Sequence, residues 1–147
     1  MNSDVKTVAG SQWRFTKLSA VTAREIDEGI IFSVEARVGS VWVKLDDPDL
    51  VNKHVPNWEV LMELESIALE YNFGFLDSWR PARLPAKMLA NYTPMECRHI
   101  DGLFSSLISA NLATLNELKT VYSLEEAFKL LEVLTVSKVN EFLATEK

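Results

Sequence analysis

The chain has 147 residues, 48% of them hydrophobic and 24% charged, with a formal net charge of −6. That is enough chain for one folded domain with a real core, and the charge balance argues against a general nucleic-acid binder, which needs cations to displace counterions from phosphate. A single cysteine, Cys97, excludes an internal disulfide and suggests a reducing compartment such as the cytoplasm, in a host cell or in an assembly made there.

In chain order, Met1 to Thr7 contains Asp4 and Lys6 and no apolar block, so no secretory signal is expected, residues 1–10 read as loose, and no apolar run approaches the ~18 residues of a membrane span. Trp13 to Leu18 alternates bulky apolar and polar side chains, as a short strand does. Thr22 and Glu25 have capping-box spacing and would open a brief helix through Glu28. Ile30 to Val38 has period two, and a helix there would set Asp27 and Arg37 beside the apolar stripe, so a strand is expected. Gly39-Ser40 then reads as a two-residue hairpin turn with Val41 to Leu45 as the return strand.

Asp46-Asp-Pro-Asp49 breaks the pattern. Asn57 is placed to cap a helix running to about Tyr71. Its main face is Val60, Leu61, Leu64, Ile67, Ala68 and Tyr71; Trp58, Met62 and Leu69 form a second strip, which predicts a central position in the core. A long apolar loop follows from Asn72 to Pro85, with a helical turn over Ala86 to Ala90. Thr93-Pro94-Met95-Glu96 has the composition of a helix start, with a helix reaching Val121 and a stripe through Cys97, Ile100, Phe104, Leu107, Asn111, Leu115, Leu118 and Tyr122. The last helix opens on the box formed by Ser123 and Glu126 and frays near Ala144, with residues 145–147 loose. The expected fold is therefore α+β, an N-terminal hairpin with short strands followed by a helical C-terminal half, in a single domain; a mostly helical chain is the alternative.

No catalytic motif stands out, and no enzymatic role or cofactor is expected. Cys97 and His99 diverge by about 200° on a helix and cannot share one ion, while His54 lies in another segment. Asp46, Asp47 and Asp49 lack the glycine and bidentate glutamate of a calcium loop, so they read as a solvated acidic turn. Phe75, Trp79, Arg80 and Arg83 make a cationic and aromatic mixture that either caps the core or meets a partner. Asn111 in an apolar seam either bonds to a backbone or side-chain group inside the fold or fixes helix register or oligomer state. Val133, Val136 and Leu143 fall on what should be the wet side of the last helix, which implies either a central position in the bundle or a docked protein partner, including self-association.

The segment Tyr122-Ser-Leu-Glu-Glu-Ala-Phe-Lys-Leu-Leu-Glu-Val-Leu134, followed by Val139-Asn-Glu141, resembles the C-terminal helix of small proteins encoded by tailed bacteriophages, some of them similar to tail-assembly chaperones that bind the tape-measure protein. The resemblance implies no catalysis, no cofactor and a protein partner met through exposed apolar helix. A virion subunit (connector or tail completion) and a phage-encoded inhibitor of a host protein are the alternatives.

Overall fold

The computed structural model describes residues 2–26, 29–89 and 95–146. The chain folds as α+β, an N-terminal antiparallel sheet of four strands followed by helices. Strand β1 (Ser3–Val8) turns through Ala9 and Gly10, both at positive φ, into β2 (Ser11–Thr16), and the two pair along their full length. Residues 2–10 are thus not the loose arm expected of residues 1–10, of which residue 1 lies outside the described residues. Only Val8 of β1 is buried, so main-chain hydrogen bonds hold this edge strand and its side chains leave no apolar pattern to read. The Trp13 indole N–H donates to the Val8 carbonyl at 3.1 Å and ties the turn to the core.

Helix α1 (Ala20–Glu25) is capped by Ser19, three residues earlier than the Thr22 start expected, and Glu28 lies outside the described residues. Ile30–Ser33 is a 3-10 turn rather than strand: Ile30 and Ile31 are both buried, which a period-two strand on one sheet face does not permit. Strands β3 (Val34–Val38) and β4 (Val41–Lys44) then form the hairpin about Gly39-Ser40, and the sheet order is β1-β2-β3-β4. On its open face Arg14 grips Glu35 with two hydrogen bonds of 2.6 and 2.7 Å and lies 4.8 Å from the Trp42 ring.

The acidic turn is a helix start. Asp47 accepts from the Leu50 N–H and Asp49 sits in the first turn of α2 (Pro48–His54). Helix α3 (Trp58–Phe73) is capped by Asn57 as expected and lays Val60, Leu64 and Ala68 on the sheet, while the buried Asn72 accepts from the Leu18 N–H just past β2. Its second strip is not core: Trp58, Met62 and Leu69 are 67%, 53% and 48% exposed. Apolar periodicity reveals a face that wants cover but not whether the chain supplies it.

The helix expected from Thr93 to Val121 is two short ones. Thr93 and Pro94 lie outside the described residues, and Met95 to Asp101 is not helical. Helix α4 (Gly102–Ser109) is capped by Asp101; the chain turns at Asn111, φ 57°, and α5 (Leu115–Thr120) opens on a Thr114–Glu117 capping box. Asparagine accepts the left-handed conformation that ends a helix. Asn111 is therefore exposed at a turn and sits in no helical seam, and Cys97 is exposed instead of buried on one. Helix α6 (Leu124–Thr145) closes the fold. Two apolar clusters result, one between the sheet and α2–α3, the other joining α1, α4, α5 and α6.

Candidate functional site

Helix α6 starts where its box predicts: the Ser123 N–H donates to Glu126 at 2.7 Å, and the Glu126 N–H donates back to the Ser123 hydroxyl at 3.3 Å. Its 22 residues span about 33 Å, yet only Leu124 and Ala127 are fully buried. The first turns are anchored in the α1–α4–α5 cluster, and the rest extends with side chains half covered or open.

One segment runs beside it. Phe75, Trp79 and Phe128 pack edge to face, with centroids 5.5 Å apart for Phe75–Phe128 and 5.6 Å for Trp79–Phe128. Farther on, Lys87 meets Glu146 at 3.1 Å. Between the anchors α6 rises about 27 Å and the seven steps from Trp79 to Ala86 cover about 22 Å when extended at three residues per turn, the 3-10 turn at Lys87 and the anchoring side chains spanning the rest. Burial repeats at that same period: Trp79, Ala82, Pro85 and Met88 are half-buried while the residues between them are exposed. Residues 79–89 thus form an extended strap along the helix, ending in the 3-10 turn Ala86–Leu89; the rest of the expected Ala86–Ala90 turn, Ala90, is outside the described residues.

This separates the expected site residues. Phe75 and Trp79 belong to the strap's anchor. Arg80 and Arg83 are on its outer side, exposed and in no ion pair among the described residues. Val136 and Leu143, 43% and 46% exposed, lie only about 20° apart around the helix, beside the strap. Val133, 60% exposed, is a further 60° or so around and forms a wall of a different feature, an open groove of about 560 Å³ between α4 and α6 that also takes in Ser106, Ser109, Leu112, Ser137 and Glu141. Asn111 belongs to neither.

Perturbed titrations mark structure. Hydrogen bonds from Arg14 hold the Glu35 carboxyl below its ordinary range. Burial pushes Asp101 up, but hydrogen bonds from Arg24 and the Leu103 N–H outweigh it and leave it low. Burial, then the nearby Asp4 charge, raise the Tyr71 phenol. Among the described residues no three histidine, cysteine or carboxylate side chains converge as a metal set would, and no helix is long and apolar enough to cross a membrane. Sequence reasoning missed Phe128 as the strap's seat, because nothing in the sequence names the distant residues that pack on it. No family model, curated protein or solved structure matches the chain.

Proposed function

We propose that the protein is a non-enzymatic assembly factor that binds another protein through α6. What supports this is the exposed pair Val136 and Leu143 on a helix whose opposite side is already packed against α1 and α4. Two branched apolar side chains beside the strap's apolar edge offer an incoming helix or strand a dry contact, the usual centre of a protein interface. The resemblance of the Tyr122–Leu134 segment to phage tail-assembly helices makes a tape-measure segment the first partner to test. In a pull-down from co-expression with phage tail proteins, the wild-type chain should retain such a segment. The V136E/L143E variant should lose it while keeping the wild-type circular dichroism spectrum, and V133E, on the other wall, should retain it. Empty beads with the wild-type chain would count heavily against the reading.

A second reading rests on Arg80 and Arg83, which the strap presents to solvent without carboxylate partners among the described residues. There the partner would be an acidic protein surface, as in an inhibitor of a host protein, and R80E/R83E would be the variant that abolishes capture.

A further inference from the structure

Helix α3 has two apolar faces, and only one is used inside the fold. Trp58, Met62, Glu65 and Leu69 follow one another at steps of four, three and four residues, the spacing that keeps a seam facing a second helix. They lie within about 60° of arc, turned roughly 110° from the buried row Val60, Leu64, Ala68 and Asn72. The seam runs into an open groove of about 550 Å³, lined by Met62, Glu65, Ser66, Leu69, Phe73 and Gly74. At Gly74 an added Cβ would run into the Glu70 carboxylate, so the missing side chain leaves room for that carboxylate at this end of the groove.

Charge selects the occupant. Between Trp58 and Phe73 there is no lysine or arginine, while Glu59, Glu63 and Glu70 line one edge of the seam and Glu65 sits in its middle. None of the four is in an ion pair among the described residues. Lys6 of β1 shares a cleft with Glu70, but its own carboxylate contact is Asp4, at 4.0 Å. A second copy of α3 would bring Glu65 against more glutamate in a drying seam, which is strongly unfavourable. A helix with apolar seam residues, a central lysine or arginine and a cationic flank satisfies every group.

We propose that the outer face of α3 is a docking site for a cationic amphipathic helix of another protein, with Glu65 as the specificity-determining residue. The surface is distinct from α6, so its failure and the failure of the α6 reading are separable.

The test is a fluorescence-anisotropy titration of the full chain with a labelled synthetic helix of about 20 residues, leucine at the seam, lysine at the central and flanking positions, and a twin with glutamate for every lysine. The lysine helix should bind in the micromolar range and the twin should not. E65K should weaken the lysine helix at least about ten-fold and regain affinity for a version with glutamate at the central position alone. W58S and M62Q/L69Q, at exposed positions and checked for folding by circular dichroism, should each weaken binding, whereas V136E/L143E should leave it unchanged. The proposal is overturned if the wild-type chain binds neither helix, if E65K binds as the wild type does, or if light scattering shows a dimer that M62Q/L69Q dissolves, which would make a second copy the occupant.

Discussion

Ser19 and Ser123 pair across an isolated antiparallel bridge, and each is the N-cap of its own helix, Ser19 of α1 and Ser123 of α6. The Ala20 N–H donates to the Tyr122 carbonyl at 2.7 Å beside them. Two helix starts, a hundred residues apart in sequence, are therefore fastened side by side at the point where the sheet's chain enters the helical half. Both serines are buried, so water cannot replace the hydroxyls.

Replacing either cap with alanine is expected to destabilise the protein by about 1 kcal/mol. Because the residues adjoin, the S19A/S123A pair should depart from additivity by about 0.5 kcal/mol or more. Urea unfolding of the three variants measures both quantities, and strictly additive losses would show that the caps act independently.

Acid should loosen the protein through two carboxylates. Glu35 and Asp101 have folded values held below their unfolded ones, so their contribution is present above the ordinary carboxylate range and is lost as pH falls through the lowered values. Urea midpoints should stay level from neutrality to about pH 5 and fall below about pH 4. E35Q and D101N should each flatten that fall; asparagine still caps α4, so D101N isolates the Arg24 ion pair from the cap. Both pairs are partly open to water, and each effect should be modest.

The Ser123–Glu126 capping box, the Asn57 cap and the Gly39-Ser40 hairpin could be read from sequence because their chemistry is local, a side chain three residues from a main-chain donor or a glycine at positive φ, whereas the Thr22–Glu25 spacing misled by one turn and the Thr114–Glu117 box lay hidden inside an expected long helix. Strand β1 could not be read, since its partner supplies hydrogen bonds and Ser3 to Thr7 bury nothing. The α4–α5 break was hidden for another reason. Phe104, Leu107 and Leu118 enter one core from both helices, so the apolar phase runs on through a turn made by Asn111. The exposure of Val133, Val136 and Leu143 follows from turning the helix about its axis. The strap does not, because its Lys87–Glu146 anchor joins residues 59 apart.

Two glycines should respond in opposite ways. Gly29 has φ 79°, and an added Cβ would come within 2.7 Å of the Phe32 ring, so G29A should cost upward of about 1 kcal/mol. Gly74 has helical φ and ψ, and the nearest atoms an added Cβ would meet belong to the Glu70 carboxylate on a flexible, exposed stem. G74A should therefore be neutral or stabilising by up to about 1 kcal/mol. Thermal melts compare the two directly; equal losses would mean that Glu70 is fixed in place.

The strap depends on Phe128 more than on its ion pair. Lys87 and Glu146 are exposed, and pairs of that kind contribute about 0–1 kcal/mol, whereas Phe128 contacts both Phe75 and Trp79. F128A should release residues 79–89 without melting α6, whose capping box and first turns stay in the other cluster. Trypsin reads this directly, because cleavage needs a segment that can leave the surface. Cutting after Arg83 and Lys87 should speed up about ten-fold in F128A and far less in K87Q, for which Arg83 alone is scored. Equal rates at Arg83 in the wild type and F128A would mean that the aromatic trio does not hold the segment down, and the strap would then owe its course to Ala82, Pro85 and Met88 alone.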